Sequence, residues 1–222
     1  MKNKKNFDLN KVFRLIVRKH PKKIAIDFGN NKQYTFQELD ELSDQILQIF
    51  YNLNIKHNEI IAVDSVKNFY AFALIIACIK NNNPYSFIEI SKYNYRLSSI
   101  LETLKPKKIF IFEKKKITNS YILSQKSFIK LSKKQFIKKN NILKKNKIAY
   151  IMFTSGSTGQ PKGVPITHKN LSYLINWAKR TFNLSNLSVV SNLNPLHFDN
   201  SVFDIYGGLF NAATIVPFEK AE

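Results

Sequence analysis

A stretch rich in hydroxyl and glycine residues follows an apolar run. Residues 154–163 read TSGSTGQPKG and come directly after KIAYIMF at 147–153. Glycines let the backbone approach a ligand closely and turn its amide N–H groups toward that ligand, while hydroxyls add donors and the lysine adds positive charge. Because this combination suits phosphate oxygens, the stretch predicts a phosphate-binding loop.

Two other interpretations of this stretch are open. It is not a Walker A motif, because its lysine stands between Pro161 and Gly163 rather than before a Ser or Thr. It has the composition of a flexible surface loop, which is the plain alternative. An ordered pattern placed directly after a strand of buried type favours phosphate binding.

The stretch resembles the phosphate-binding signature of the adenylate-forming superfamily, which contains acyl-CoA synthetases, luciferases and the amino-acid adenylation domains that load carrier proteins. In that family the loop contacts the pyrophosphate portion of ATP. The resemblance therefore implies ATP with Mg²⁺ as cofactors. It assigns the ATP phosphates to Thr154, Ser155, Gly156, Ser157, Thr158, Gly159 and Lys162.

A second motif lies in residues 194–218, which read NPLHFDNSVFDIYGGLFNAATIVPF. It looks like the substrate-pocket motif of the amino-acid branch, in which the aspartate of an aromatic-Asp pair holds the α-amino group; Phe198 and Asp199 match that pair. An ammonium removed from water needs a compensating anion, so a carboxylate there favours amino acids over plain fatty acids. The alternative for Asp199 is a helix N-cap.

The run SVFDIYGGL is similar to the carrier-protein ligases for D-alanine, which points to a small amino acid as substrate. The resemblance implies that the carboxylate attacks the α-phosphate of ATP, and that the acyl adenylate passes to the phosphopantetheine thiol of a carrier protein. We assign His197 no role, and we expect neither a catalytic residue nor a protein metal site in this chain.

The family's adenine-contacting segment, ribose-binding aspartate and lid lysine cannot be matched here. We therefore expect residues 1–222 to form a partial AMP-binding domain without the C-terminal lid subdomain, completed by a longer form or a second chain. Alternatives are a truncated, non-catalytic remnant of such a ligase and an acyl-CoA synthetase-like acid ligase fragment. The least favoured alternative is a basic nucleic-acid-binding protein.

The hydrophobic pattern predicts an α/β fold of parallel sheets flanked by helices, as in the N-terminal subdomains of adenylate-forming enzymes. Apolar strands alternate with crossover helices, which is the βαβ pattern of a sheet covered on both faces. The predicted strands are 23–28, 33–35, 60–65, 85–90, 108–112 and 147–153, and the predicted helices begin after Asp8 and Thr35, cover 68–80 and 95–104, and begin near Thr167.

The composition limits the location and partners of the protein. The formal net charge is +20, but lysine is spread along the whole chain and the basic run 105–147 has few arginines, so a solvated face is favoured over a nucleic-acid site. No stretch is long enough to cross a bilayer, and the N-terminus lacks a signal-peptide pattern. With a single cysteine, Cys78, we expect a cytoplasmic protein.

Overall fold

The computed structural model describes residues 8–91, 95–113, 117–124, 127, 148–154 and 160–218. In chain order its elements are α1 Leu9–Lys19, β1 Ile24–Asp27, β2 Gln33–Thr35, α2 Phe36–Asn52, β3 Ile61–Asp64, α3 Phe69–Asn81, β4 Tyr85–Ile88, α4 Tyr95–Leu104, β5 Lys108–Ile111, β6 Ser120–Ile122, β7 Ile148–Thr154, β8 Lys162–Thr167, α5 His168–Thr181, β9 Val189–Asn192, α6 Asn200–Val202, the π-helical turn Phe203–Gly207 and β10 Thr214–Pro217.

These strands form two sheets. The smaller has the order β2-β1-β10-β9 and the larger has the order β6-β5-β3-β4-β7-β8. All neighbours pair in parallel except β1 with β2 and β7 with β8. The predicted α/β fold with parallel sheets is confirmed, and each sheet also carries one antiparallel strand at an edge. Short connections join these two pairs, and a short connection can link only antiparallel neighbours.

Local side-chain caps fix where the helices begin. Asp8 accepts hydrogen bonds from the first turn of α1, and Thr35 with Glu38 forms a capping box at α2. Thr167 forms the corresponding box with Asn170 at α5, which confirms the predicted helix start. Each cap satisfies backbone N–H groups that have no partner inside the helix.

Helix α3 lies at the centre of the core. Every residue from Ala71 to Ile79 is buried, so the helix is apolar on all sides, as a helix enclosed by other elements must be. At its C-terminal end the buried ammonium of Lys80 lies 2.6 Å from an Asp40 carboxylate oxygen and 2.7 Å from one of Asp44 in α2. Within the described residues, no helix combines the length and the apolar content needed to cross a bilayer.

The corner between α3 and β4 carries three consecutive asparagines, Asn81, Asn82 and Asn83. Asn82 ends α3 in the left-handed region at φ 55°, a conformation that asparagine tolerates better than most residues. The buried amide of Asn83 donates to the carbonyls of Lys56 and Glu59, both at 2.7 Å. Asparagine side chains therefore make the turn here and join it to the loop before β3.

Most of the lysine-rich run 105–147, which we predicted to be a surface excursion, lies outside the described residues. Within it, β6 pairs in parallel with β5 and forms the far edge of the six-stranded sheet.

Candidate functional site

The predicted phosphate loop joins the two strands of the β7–β8 hairpin. Thr154 ends β7 and lies opposite Lys162, the first residue of β8. We had placed Lys162 within the loop, whereas it begins a strand whose antiparallel pairing runs back to Thr167. Both Thr154 and Lys162 are exposed. The remaining loop residues named above, Ser155, Gly156, Ser157, Thr158 and Gly159, lie outside the described residues.

Helix α4 holds the C-terminal side of this loop. The Gln160 amide nitrogen donates to the Tyr95 hydroxyl at 2.6 Å, and the Ser99 hydroxyl donates to the Gln160 amide oxygen at 3.1 Å. Pro161 is buried beside this contact. Both polar ends of the Gln160 side chain are therefore engaged by α4, which fixes where the chain enters β8.

Gly163 of β8 lies close to the Ile151 and Phe153 side chains of β7. A Cβ atom at Gly163 would lie 3.2 Å from the Ile151 side chain and 3.3 Å from the Phe153 ring. The missing side chain lets β8 approach β7 under these two residues. The glycine in the Pro-Lys-Gly part of the motif thus has a packing role in addition to any contact with a ligand.

The second predicted motif lies between β9 and the π-helical turn. Phe198 and Asp199 are both exposed, and Phe198 packs against the ring of His197. The Asp199 carboxylate accepts a hydrogen bond from the Asn200 N–H at 2.9 Å, so the N-cap interpretation fits the short helix α6. Because that bond leaves the carboxylate accessible, capping does not prevent it from contacting a ligand.

Tyr150 connects the two motifs. Burial, with a smaller contribution from the charge of Asp199, raises the pKa of Tyr150 to about 12. The Asp199 carboxylate is therefore within electrostatic reach of a residue in the middle of β7, and Thr154 ends the same strand. The segment on either side of Asp199 also lines a small cavity with Tyr150, Ile151 and Met152 of β7, so it packs beside the strand that ends at Thr154. Sequence reasoning did not identify Tyr150, which looks like any other core aromatic in an apolar run.

A cluster of buried aromatic side chains packs against Tyr150. The Tyr85 and Tyr206 hydroxyls, both fully buried, are hydrogen-bonded at 3.0 Å. Burial raises the pKa of each phenol, so both are neutral donors and acceptors. Tyr150 stacks on Tyr206 with ring centroids 6.2 Å apart.

A small cavity lies between this cluster and α6. It has a volume of ≈ 10 Å³, which is about the space of one water molecule. Its lining comes from β4, β7 and the segment after β9: Tyr85, Phe87, Tyr150, Ile151, Met152, Leu196, Ser201, Val202 and Ile205.

His197, to which we assigned no role, contacts the other sheet. Its Nδ1 atom is hydrogen-bonded to the Ser65 hydroxyl, 2.7 Å away, just after β3. Burial lowers the pKa of His197, while Glu89 acts to raise it and Arg96 to lower it. The neutral ring is therefore favoured. The partners are 132 positions apart, so no local pattern indicates the contact.

Metal binding by protein side chains alone receives no support from the described residues. Among them, no group of three or more His, Cys, Asp and Glu side chains lies together in a way that could hold a metal ion.

Comparisons with known proteins identify sequence relatives of this chain. Residues 13–222 match the model of the family described as AMP-binding enzyme. A D-alanine--D-alanyl carrier protein ligase from Listeria monocytogenes is 30% identical over 194 residues, covering 84% of this chain and 38% of the ligase. A nonribosomal peptide synthetase, kk1B of Curvularia clavata, is 26% identical over 211 residues, covering 92% of this chain and 2% of the synthetase. The chain thus spans well under half the length of these relatives.

Solved structures show the same fold. The N-terminal subdomain of NpsA from Klebsiella oxytoca, in complex with 3-hydroxyanthranilyl-AMSN, superposes with a TM-score of 0.83 at 18% identity, over 97% of this chain and 54% of that one. The nonribosomal peptide synthetase FmoA3 in an AMPPNP-bound form gives 0.80 at 21% identity, over 96% and 23%.

Proposed function

This chain belongs to the AMP-binding enzyme family, and we propose that it contributes the ATP-phosphate loop and the amino-group-binding aspartate of an amino-acid-activating ligase. The loop extends from Thr154 to Lys162, and Asp199 is the aspartate. The observation that carries the proposal is that the residues flanking Asp199, Leu196 and Ser201, line one small cavity with β7, the strand that ends at Thr154. A ligand across this strand would have its phosphates at one end and its ammonium group at the other.

The proposed reaction activates a carboxylate. A carboxylate oxygen of the amino acid forms a bond to the α-phosphorus of ATP, and the bond from that phosphorus to the bridging oxygen breaks, so pyrophosphate leaves with the electron pair. A carrier-protein thiol then attacks the acyl carbon, its proton is lost and AMP departs. Negative charge develops on the phosphate oxygens, and preorganised donors and cations stabilise it. Lys162 supplies one such charge.

Mg²⁺ is proposed as a partner of the ATP phosphates. This ion usually keeps several waters and binds through substrate phosphates plus one or two carboxylates, or a Ser or Thr hydroxyl in phosphate-binding loops. The Thr154 hydroxyl at the loop entrance fits that description, since it is exposed at the end of β7. When bound, the ion would neutralise part of the charge that develops on the phosphates.

The substrate class follows from Asp199 and from the relatives. A D-alanyl carrier protein ligase and nonribosomal peptide synthetases are among the similar proteins, so a small amino acid and a carrier-protein thiol are the proposed partners. Adenylation is proposed for the complete enzyme to which these residues contribute, since this chain spans 38% of the ligase.

Nucleotide binding tests the loop. The change Lys162→Ala should weaken AMPPNP binding at least about tenfold, because a charge-assisted contact to phosphate is lost. Titration calorimetry of the 222-residue chain measures this, with Lys179→Ala, an exposed lysine of α5, as the matched control. Equal AMPPNP affinities in the wild type and Lys162→Ala would overturn the assignment of the loop.

A matched pair of adenylate analogues tests the aspartate. D-alanyl-sulfamoyl adenosine should bind more tightly than propionyl-sulfamoyl adenosine, which lacks only the amino group. The change Asp199→Asn should remove most of that preference, because the ammonium loses its counter-charge. Tighter binding of the propionyl analogue to the wild type would instead favour an acid ligase.

A further inference from the structure

The loop between β3 and α3 reaches across to the other sheet. Its Lys67 ammonium donates to three backbone carbonyls: Asn192 at 2.8 Å, Leu193 at 3.0 Å and Phe218 at 2.6 Å. These carbonyls lie at or just past the ends of β9 and β10. One side chain thus ties the ends of two strands of the four-stranded sheet to the end of β3 in the six-stranded sheet.

Asn192, the first of these three residues, also contacts the π-helical turn. Asn192 is fully buried, and its amide nitrogen donates to an Asp204 carboxylate oxygen at 3.0 Å. Burial raises the pKa of Asp204, whereas the Asn192 hydrogen bond and the charge of Lys67 lower it. Lys67, Asn192 and Asp204 therefore form one connected polar group behind the Asp199 segment.

Contacts made by this loop, or by Asn192 to which it is bonded, lie on both sides of Asp199 in the sequence. On the N-terminal side, Lys67 contacts the carbonyls of 192 and 193, and Ser65 is hydrogen-bonded to His197. On the C-terminal side, Asn192 fixes Asp204 in a π-helical turn, a feature that often lies at functional sites. Asp199 itself is exposed and bonds only its neighbour's N–H in the contacts described above, so its flanks determine its position.

We propose that Ser65 and Lys67 are positioning residues, which hold Asp199 in the place from which it contacts the substrate ammonium group. The inference rests on the proposed function of Asp199. It assigns to the β3–α3 loop a role in amino-acid recognition without direct contact to the amino acid. The contacts described for Lys67 lie at the ends of β9 and β10, so we expect its substitution to affect the Asp199 segment rather than nucleotide binding by the β7–β8 hairpin.

Equilibrium binding separates positioning from stability. In the 222-residue chain, Lys67→Met should weaken D-alanyl-sulfamoyl adenosine about tenfold and leave AMPPNP unchanged, a size typical of hydrogen bonds from charged groups. Lys67→Arg, which keeps the charge and the donors, should recover most of the affinity. The double variant Lys67→Met/Asp199→Asn should bind no more weakly than Asp199→Asn alone, because the lysine acts through the aspartate.

A destabilising control excludes a general loss of folding. Lys80→Met removes a buried ammonium far from the site in sequence and should lower the melting temperature without changing the affinity for the analogue. Ser65→Ala, a smaller change, should weaken the analogue less than Lys67→Met. If Lys67→Met and Asp199→Asn add fully, or if Lys80→Met weakens the analogue equally, the positioning role is overturned. If neither Asp199→Asn nor Lys162→Ala weakens the analogue, the proposed function fails first.

Discussion

The β7–β8 hairpin and the segment that carries Asp199 are built in different ways. The hairpin is formed by neighbouring residues, with Thr154 opposite Lys162 and a loop between them. The Asp199 segment is held by residues far away in the sequence: Lys67 is 125 positions from Asn192, and Tyr85 is 121 positions from Tyr206.

This difference predicts how far the effect of a substitution extends from each region. Strand β8 pairs only with its sequence neighbour β7 among the described strands, so a change in β8 or at its junction with α5 should have little effect elsewhere, although β7 itself also pairs with β4 and Gln160 contacts α4. A segment positioned by distant side chains depends on the packing of both sheets. We therefore expect substitutions near Asp199 to affect global stability and those at the β8–α5 junction to remain local.

The largest expected effect is that of Tyr206→Ala. Tyr206 is fully buried among Tyr85, Tyr150 and Phe210. Truncation leaves a cavity in a packed aromatic cluster and should lower the free energy of unfolding by about 3–5 kcal/mol. Urea denaturation followed by circular dichroism measures it. A loss below about 1 kcal/mol would contradict the view that this region depends on the core of both sheets.

The hydroxyl pair gives an intermediate effect. Tyr206→Phe should cost about 1–3 kcal/mol of unfolding free energy, because the buried Tyr85 hydroxyl loses its partner. The double variant Tyr85→Phe/Tyr206→Phe should lose less than the sum of the two single variants, since no orphaned hydroxyl remains. Additive losses in the same denaturation experiment would show that the two hydroxyls do not stabilise each other.

A substitution at the β8–α5 junction should have a smaller effect on stability. Thr167→Ala removes the side chain of the capping box at α5 and should cost about 1 kcal/mol. Thr181→Ala at the exposed end of the same helix is the control and should be close to neutral. Chemical denaturation of both variants measures the difference. If Thr167→Ala destabilises the chain as much as Tyr206→Ala, the contrast between local and distant construction is wrong.

The smallest effect concerns the titration of Tyr150. Ultraviolet absorbance of the wild type minus that of Tyr150→Phe should give a midpoint near the pKa of about 12. Asp199→Asn should move this midpoint toward 10 by the smaller part of the shift, because burial is the larger cause. An unchanged midpoint would place the Asp199 carboxylate away from Tyr150.

The same raised pKa has a consequence for stability. Below pH 10 Tyr150 is neutral in both the folded and the unfolded chain. Its ionisation therefore takes nothing from the free energy of unfolding in that range. Between pH 10 and 12 the unfolded state releases the proton first, and stability falls as the pH rises. The Tyr150→Phe chain should lose less stability over that interval.

Much of the fold follows from local sequence. The caps at Asp8, Thr35 and Thr167 and the apolar periodicities of the helices are contiguous signals, and the structure confirms them. The phosphate loop was also predicted from residues adjacent in the sequence, although residues 155–159 lie outside the described residues. The strand β8 was missed because Val164, Pro165 and Ile166 stand in a stretch that begins with loop-type residues.

The contacts that position Asp199 have no such signal. Lys67 is one of 35 Lys and Arg residues, and nothing in its neighbours distinguishes it from a solvated lysine. Its role depends on carbonyls that the pairing of β9 and β10 brings to one edge. The π-helical turn at Phe203–Gly207 was not predicted from the sequence either. Only three-dimensional placement reveals these features.

The pairing of β1 with β10 sets an order for assembly on the ribosome. Ile26 lies beside Ile215, and the Thr214 hydroxyl donates to the Ile24 carbonyl across 190 positions of the chain. During synthesis, the edge of β1 that pairs with β10 therefore stays unpaired until almost all of the 222 residues have been made. At about 5–20 residues per second that interval is of the order of ten seconds or more, during which chaperones can bind the unfinished edge.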